Sequence, residues 1–143
     1  TQAVNLEAPL RISQLAFPFM RRTGGGVIIN LTSLSSEMGT LNNPAYAASK
    51  GGLKQLTKAL ALDWAKYHIR VNNLGLGYFR TQMTKRSYGD LKLRAQRTAR
   101  IMLDRWGERG DLVGPAVFLA ADASRYMTGQ DLYIDGGLLA KGI

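Results

Sequence analysis

The sequence predicts an α/β fold built on a parallel sheet, and three observations carry that expectation. Apolar positions recur at helical spacing over residues 4–22 and 44–66. Short apolar runs rich in β-branched residues stand between and beyond them, at 27–32, 69–75 and 130–135. Helical and extended segments therefore alternate along the chain, an order that favours parallel strands joined by right-handed crossovers.

The first helix is expected over 4–22, with Val4, Leu15, Ala16, Phe19 and Met20 as its apolar stripe. Thr23-Gly24-Gly25-Gly26 stops it, because glycine accepts the backbone angles of a helix end. Val27-Ile-Ile-Asn-Leu-Thr32 reads as a buried strand. Residues 33–43, rich in Ser, Gly, Thr and Asn, read as a loop. A long helix follows over about 44–66, with Asn43 as its N-cap and Pro44 at its first position. Leu53, Leu56, Leu60 and Trp64 give it one buried face, with Lys54, Lys58 and Lys66 pointing elsewhere. The second strand spans 69–75. Residues 82–105 are polar and basic and read as one or two short amphipathic helices. A helix over 111–121 and a strand over 130–135, closed by Gly136-Gly137, complete the order.

Composition narrows the function classes. The 143 residues suit a single domain, 1–143. Cysteine is absent, which removes disulfides, thiol catalysis and Cys-based metal sites and fits a cytoplasmic protein. No apolar run is long enough to span a bilayer, so no membrane partner is expected. The net charge of +9 admits a nucleic-acid partner, or acidic residues elsewhere in a longer protein that compensate it. The basic residues are dispersed and form no arginine-rich tract, so no nucleic acid is expected. His68 reads as structural, and no metal site is expected.

The residues that carry chemistry are Tyr46 and Lys50. Four apart on a helix, they share a face. An ammonium beside a phenol favours the phenolate, and a tyrosine tuned that way passes protons near neutral pH. The same spacing also occurs in exposed pairs with no function. Ser33 raises its meaning, because it follows the strand 27–32 directly, and the carboxyl ends of parallel strands are where such folds place ligands. Ser35 and Ser36 are neighbouring hydroxyls with no such position.

Those residues sit in the strings GGGVIINLTSLSSEMG, NPAYAASKGGLKQLTKALALDWA, IRVNNLGLGYFRTQM and RWGERGDLVGPAVFLAADASRYMTGQDLYIDGG. In this order they are similar to the short-chain dehydrogenase/reductase family, over essentially the whole chain. The resemblance implies a Rossmann-like, doubly wound parallel sheet and an oxidoreductase. Such an enzyme moves hydride between NAD or NADP and a small carbonyl or secondary alcohol. It further implies Tyr46 as general acid/base, Lys50 as its electrostatic partner and ribose contact, and Ser33 as the group that orients the substrate oxygen. Asn5 matches the family's fourth catalytic residue, which holds a water in a proton relay.

Pro9 gives Asn5 a physical footing. Lacking an N–H, it cannot donate to the carbonyl four residues back, so the Asn5 carbonyl is expected to be unpaired within the helix. A solvated kink is the alternative reading. In the stretch after the second strand, Gly77 and Thr81 match cofactor contacts, Thr81 at the nicotinamide carboxamide, while Leu76 replaces the family's usual proline. Residues 82–106 correspond to the substrate lid, where Lys85, Arg86, Lys92, Arg94, Arg97, Arg100 and Arg105 outnumber Asp90 and Asp104. They either attract an anionic substrate or form a solvated face. The resemblance also implies a homo-oligomer, dimer or tetramer, through helices 4–22 and 44–66.

In the family a strand, a glycine-rich turn and a helix come first and receive the cofactor pyrophosphate. Gly24-Gly25-Gly26 follows a helix and precedes a strand, the reverse order. The chain is therefore expected to be the carboxy-terminal catalytic part, with about three parallel strands and without the N-terminal cofactor-binding strands. Alone, it is expected to be unstable or self-associating and nearly inactive. The alternative function is a cofactor-free fragment acting through self-association or protein interaction. The substrate, the choice between NAD and NADP, and whether 143 residues are a natural product stay open.

Overall fold

The structure, a computed structural model, describes residues 1–141. Three strands form one parallel sheet in the order β1-β2-β3: β1 is Gly26–Ser33, β2 is Ile69–Leu76 and β3 is Asp131–Ile134. β1 and β2 pair from Gly26 with Ile69 to Ser33 with Leu76, and β2 and β3 pair from Asn73 with Asp131 to Leu76 with Ile134. β2 is thus the central strand, and Ile69, Val71, Asn72, Asn73 and Leu74 are all nearly inaccessible. The strand order agrees with the parallel α/β expectation.

Helices α1 (Ala8–Arg22) and α2 (Pro44–Trp64) cover one face of the sheet. Leu10, Phe17 and Met20 of α1 pack on Leu60, Ala61 and Trp64 of α2 and on Ile69 and Val71, with Phe17 stacked on Trp64 at 4.8 Å. This differs from the expected stripe. Of the residues named for it, Met20 packs inward, whereas Val4, Leu15 and Phe19 are exposed. Helix α1 is apolar on two faces, so periodicity alone assigned the wrong one to the core. Helix α5 (Gly110–Ala120) lies on the opposite face, since Arg70 points there from β2, between the inward Ile69 and Val71. The Arg70 guanidinium donates to the carbonyls of Leu119, Ala121 and Met127 at 3.1–3.3 Å, satisfying the carboxyl end of α5.

The segment after β2 holds two short helices, α3 (Lys85–Gly89) and α4 (Leu91–Thr98), as the polar pattern suggested. Their anchor is Trp106, stacked on Tyr78 and edge-on to Tyr88, both at 5.2 Å. Trp106, Ile101 and Leu34 bury together with Leu138 of a last short helix, α6 (Leu138–Lys141). The sequence reading stopped at Gly136-Gly137 and missed α6. Both glycines have positive φ, and a Cβ on either would strike the 101–103 segment. They turn the chain so that Leu138 plugs this second core. No helix among the described residues is long and apolar enough to cross a membrane.

Candidate active site

Ser33 is the last residue of β1 and caps the single 3₁₀ turn Leu34–Ser36. Its Oγ accepts the Ser35 N–H at 3.2 Å, while its own N–H donates to Ser36 Oγ at 3.4 Å. The serine-rich string is thus a capping box. It satisfies the free N–H groups of the turn and fixes the Ser33 rotamer. Because Oγ accepts locally, its hydroxyl proton stays available for another acceptor. Ser35 Oγ pairs with Thr40 Oγ1 at 2.6 Å. All three serines brace the loop, and Ser33 is the one at the strand end with its hydroxyl proton free to donate.

Helix α2 brings Tyr46, Ser49 and Lys50 onto its first turns. Asn43 is the N-cap as expected, but its side chain makes no capping bond, and its carbonyl accepts the Ala47 N–H at 3.1 Å instead. Lys50 Nζ donates to the Leu31 carbonyl at 2.7 Å, tying the helix to the end of β1 two residues before Ser33. It lies 5.8 Å from the centre of the Tyr46 ring. Burial holds the Lys50 ammonium below the ordinary lysine value. One bond to Leu31 leaves two of its three N–H donors for a ligand.

Asn5 joins this group through its side chain. Its Nδ2 donates to the buried Ser49 Oγ at 3.1 Å, and Ser49 Oγ donates to the Tyr46 carbonyl at 2.7 Å. The backbone around Asn5 is a π-turn, Ala3–Glu7, in which the Ala8 N–H reaches back five residues to Ala3. π-bulges recur at functional sites because they displace a carbonyl from the helical ladder. Here the Val4 carbonyl loses its usual donor to Ala3, and the Asn5 carbonyl faces Pro9, which has no N–H.

Gly77 directly follows Leu76, the partner of Ser33 across the sheet, and Thr81 lies four residues further on. The Gly77 N–H donates to Ile134 at 3.0 Å, and a Cβ there would sit 2.7 Å from the Asp135 Cα. Glycine is thus required at 77 to let β3 approach, whatever else binds. Thr81 is exposed and forms a small hydroxyl turn with Thr84, its N–H on Thr84 Oγ1 at 3.0 Å. Beyond it lies a cleft of about 580 Å³ lined by Arg80, Tyr88, Arg94, Arg105, Trp106 and Asp111 among others. Neither Ser33, Tyr46 nor Lys50 lines it. Two ion pairs cross its rim, Arg80 with Glu108 at 2.7 Å and Arg105 bidentate with Asp111 at 2.8 Å. Arg105 and the Glu108 N–H hold the Asp111 carboxyl far below the usual carboxylate range.

A polar network beneath α2 escaped the sequence reading. Asn30 Nδ2 donates to Thr57 Oγ1 at 2.8 Å, and Thr57 donates to Asn73 Oδ1 at 2.7 Å. Asn73 Nδ2 donates to Asp131 at 2.7 Å, and Asp131 pairs with Lys54 and Lys58 at 3.6 and 3.5 Å. Lys54 in turn contacts Glu37, which also accepts from the Tyr133 hydroxyl at 2.6 Å. Lys54 and Lys58 therefore do not simply point away from the packed face, as the leucine spacing suggested. The available signal was asparagine and threonine inside otherwise apolar elements, since polar side chains in a core need partners.

A family model described as enoyl-(acyl carrier protein) reductase matches residues 1–139. Among curated proteins, the 5-keto-D-gluconate 5-reductase of Escherichia coli K12 is 39% identical over 137 residues, covering 96% of this chain and 54% of that protein. The 2-dehydro-3-deoxy-D-gluconate 5-dehydrogenase of Bacillus subtilis 168 is 43% identical over 138 residues, with the same coverage. A crystal structure of a gluconate 5-dehydrogenase from Burkholderia cenocepacia J2315, in complex with NADP and tartrate, superimposes with a TM-score of 0.94 at 38% identity. That match covers 96% of this chain and 54% of the other. The chain spans about half the length of the curated relatives it matches.

Proposed function

The chain belongs to the short-chain dehydrogenase/reductase family, and from that premise we propose that its natural full-length protein is an NAD(P)-dependent oxidoreductase acting on a small carbonyl or secondary alcohol. The observation that carries this reading is the convergence of Lys50, Tyr46 and, through Ser49, Asn5 on one end of α2, with Lys50 bonded to the strand that ends in Ser33.

The roles follow from the donors each group has left. Ser33, with Oγ already accepting from Ser35, donates its proton to the substrate oxygen and holds it. Tyr46 passes the proton to that oxygen in reduction and takes it in oxidation. Lys50 favours the charged phenol oxygen by its positive field and offers two N–H donors to ribose hydroxyls. Pro9 leaves the Asn5 carbonyl without its usual helical donor, which suits an acceptor for a relay water. A bound nicotinamide cofactor supplies or takes the hydride. The residues present fit its nicotinamide end: a partly buried lysine with free donors stands at the carboxyl end of a parallel sheet, where α/β folds place such ligands. The exposed Thr81 turn, just past β2, would meet the carboxamide.

Residues 82–106 act as the lid over the substrate. Their excess of arginine, with the gluconate names of the relatives, points to a sugar acid as the substrate class. We assign the protein to the cytoplasm, where reduced and oxidised nicotinamide pools are at hand. The exposed stripe of Val4, Ile12, Leu15 and Phe19 supports a homo-oligomer formed through α1 and α2.

A second reading has one observation in its favour. β1 has a partner on one side only among the described residues, and Leu31 within it is 54% exposed. An open apolar edge favours self-association, so the 143 residues alone would be an inactive, associating fragment. Screening the natural full-length protein against sugar acids with NAD and NADP separates the readings. Cofactor-coupled turnover supports the enzyme; no turnover with either cofactor supports the fragment.

A further inference from the structure

Ser33 depends on a turn, and that turn ends in an acidic side chain held from two directions. The Glu37 and Met38 N–H groups donate to the Leu34 carbonyl at 2.9 and 3.0 Å, and the capping box closes the other end. Between Ser33 and Glu37 the backbone is therefore one tight turn with little freedom of its own. The Glu37 carboxylate contacts Lys54 on α2 and accepts the Tyr133 hydroxyl of β3 at 2.6 Å. Lys54 lies one helical turn beyond Lys50, so the helix that carries Tyr46 and Lys50 also grips the loop that carries Ser33.

Neither anchor is free to swing. The Tyr133 ring packs against Gly75 of β2, where a Cβ would sit 2.2 Å from it, and Lys54 is shared with Asp131. Asp131 is fixed by Asn73 at 2.7 Å, which joins the Thr57–Asn30 hydrogen bonds that cross from α2 to β1. From these contacts we infer that Glu37, Lys54 and Tyr133 form a clamp that sets the position of Ser33 relative to Tyr46. They are positioning residues; none of them touches the reacting atoms. An isolated ion pair on the surface would do no such work. The Glu37 side chain is 30% accessible, but its carboxylate joins the loop, α2 and β3 at one point, and two of those three elements have a second fixed contact. The inference rests on the role of Ser33 proposed above.

The test uses the natural full-length protein and two independent readouts. In the first, Glu37→Gln lowers kcat roughly tenfold, as expected for a reacting group displaced by less than an ångström, with the cofactor KM unchanged. Tyr133→Phe lowers it less, and Lys54→Arg restores what Lys54→Met loses. The deciding step is the same Glu37→Gln change made in a Ser33→Ala background, where it costs less than about twofold because its target is already gone. A full tenfold loss in that background overturns the inference. In the second readout, hydrogen exchange of the 35–38 amides in Glu37→Gln speeds up about tenfold while residues 69–74 stay unchanged. Unchanged exchange at 35–38 also overturns it. If Ser33→Ala alone keeps full activity, the catalytic reading of Ser33 falls, and the exchange result still decides whether the clamp exists.

Discussion

Helix α2 and the 80–111 segment both stand near the carboxyl ends of the strands, and they are anchored by different chemistry. Under α2 the innermost groups are uncharged and buried: Asn30, Thr57 and Asn73 bond one another at 2.7–2.8 Å, and charge enters only beyond them, at Asp131, Lys54 and Lys58. Around 80–111 the buried Trp106 ring is surrounded by charged groups that are exposed or half-buried: Arg80 with Glu108, Arg105 with Asp111, and Arg94 and Arg97 laid on Tyr88 and Tyr78 at 5.1 and 5.0 Å. Buried neutral hydrogen bonds are costly to break and insensitive to salt, whereas exposed ion pairs are weak and screened. Rigidity thus belongs to the groups proposed to transfer the proton, and adaptability to the segment proposed to meet the substrate.

The largest effect on stability belongs to the rigid side. Gly75→Ala forces a methyl group into the Tyr133 ring, and the overpacking is expected to cost about 3 kcal/mol. Chemical denaturation measures it, and an unchanged midpoint would mean that β3 shifts freely. Thr57→Val removes the hydroxyl shared by Asn30 and Asn73 and strands both, for an expected loss of about 2 kcal/mol by the same assay. A neutral result would mean that the buried bonds under α2 hold the fold no more firmly than the ion pairs of 80–111 do.

Acid distinguishes the regions more gently. The Lys54 and Tyr133 contacts hold the Glu37 carboxyl below its ordinary range. A carboxyl depressed on folding stabilises the protein above its unfolded pKa, and that contribution is lost as pH falls through the folded value. Thermal midpoints should therefore stay level from about pH 7 to 5 and fall below about pH 4. Glu37→Gln should flatten the fall by under about 1 kcal/mol, since the site is partly solvated. Smallest of all, Arg105→Gln should lower the melting temperature only slightly, with the difference erased near about 1 M salt. A large, salt-independent drop would show that the 80–111 segment is as rigid as α2.

What the sequence revealed and concealed divides along the same line. The strands, their parallel order and helix α2 were legible, because β-branched runs and leucine spacing are local signals. Ser33, Tyr46, Lys50 and Asn5 were legible as a motif, and the structure links Asn5 and Lys50 to their surroundings by hydrogen bonds. The inward face of α1 was not legible, since Phe17 and Phe19 are equally apolar and only the neighbour at Trp64 decides between them. Nor was the Glu37–Tyr133 contact, which spans 96 residues of chain and follows from topology alone. Helix α6 escaped because four residues after two glycines carry too little periodicity.

The claim at the centre of this account is that Tyr46 transfers the proton. Turnover and cofactor binding of Tyr46→Phe, measured in the natural full-length protein, test it most directly. The expected result is a loss of at least about 100-fold in kcat with cofactor affinity unchanged. Turnover that survives in that variant would contradict it.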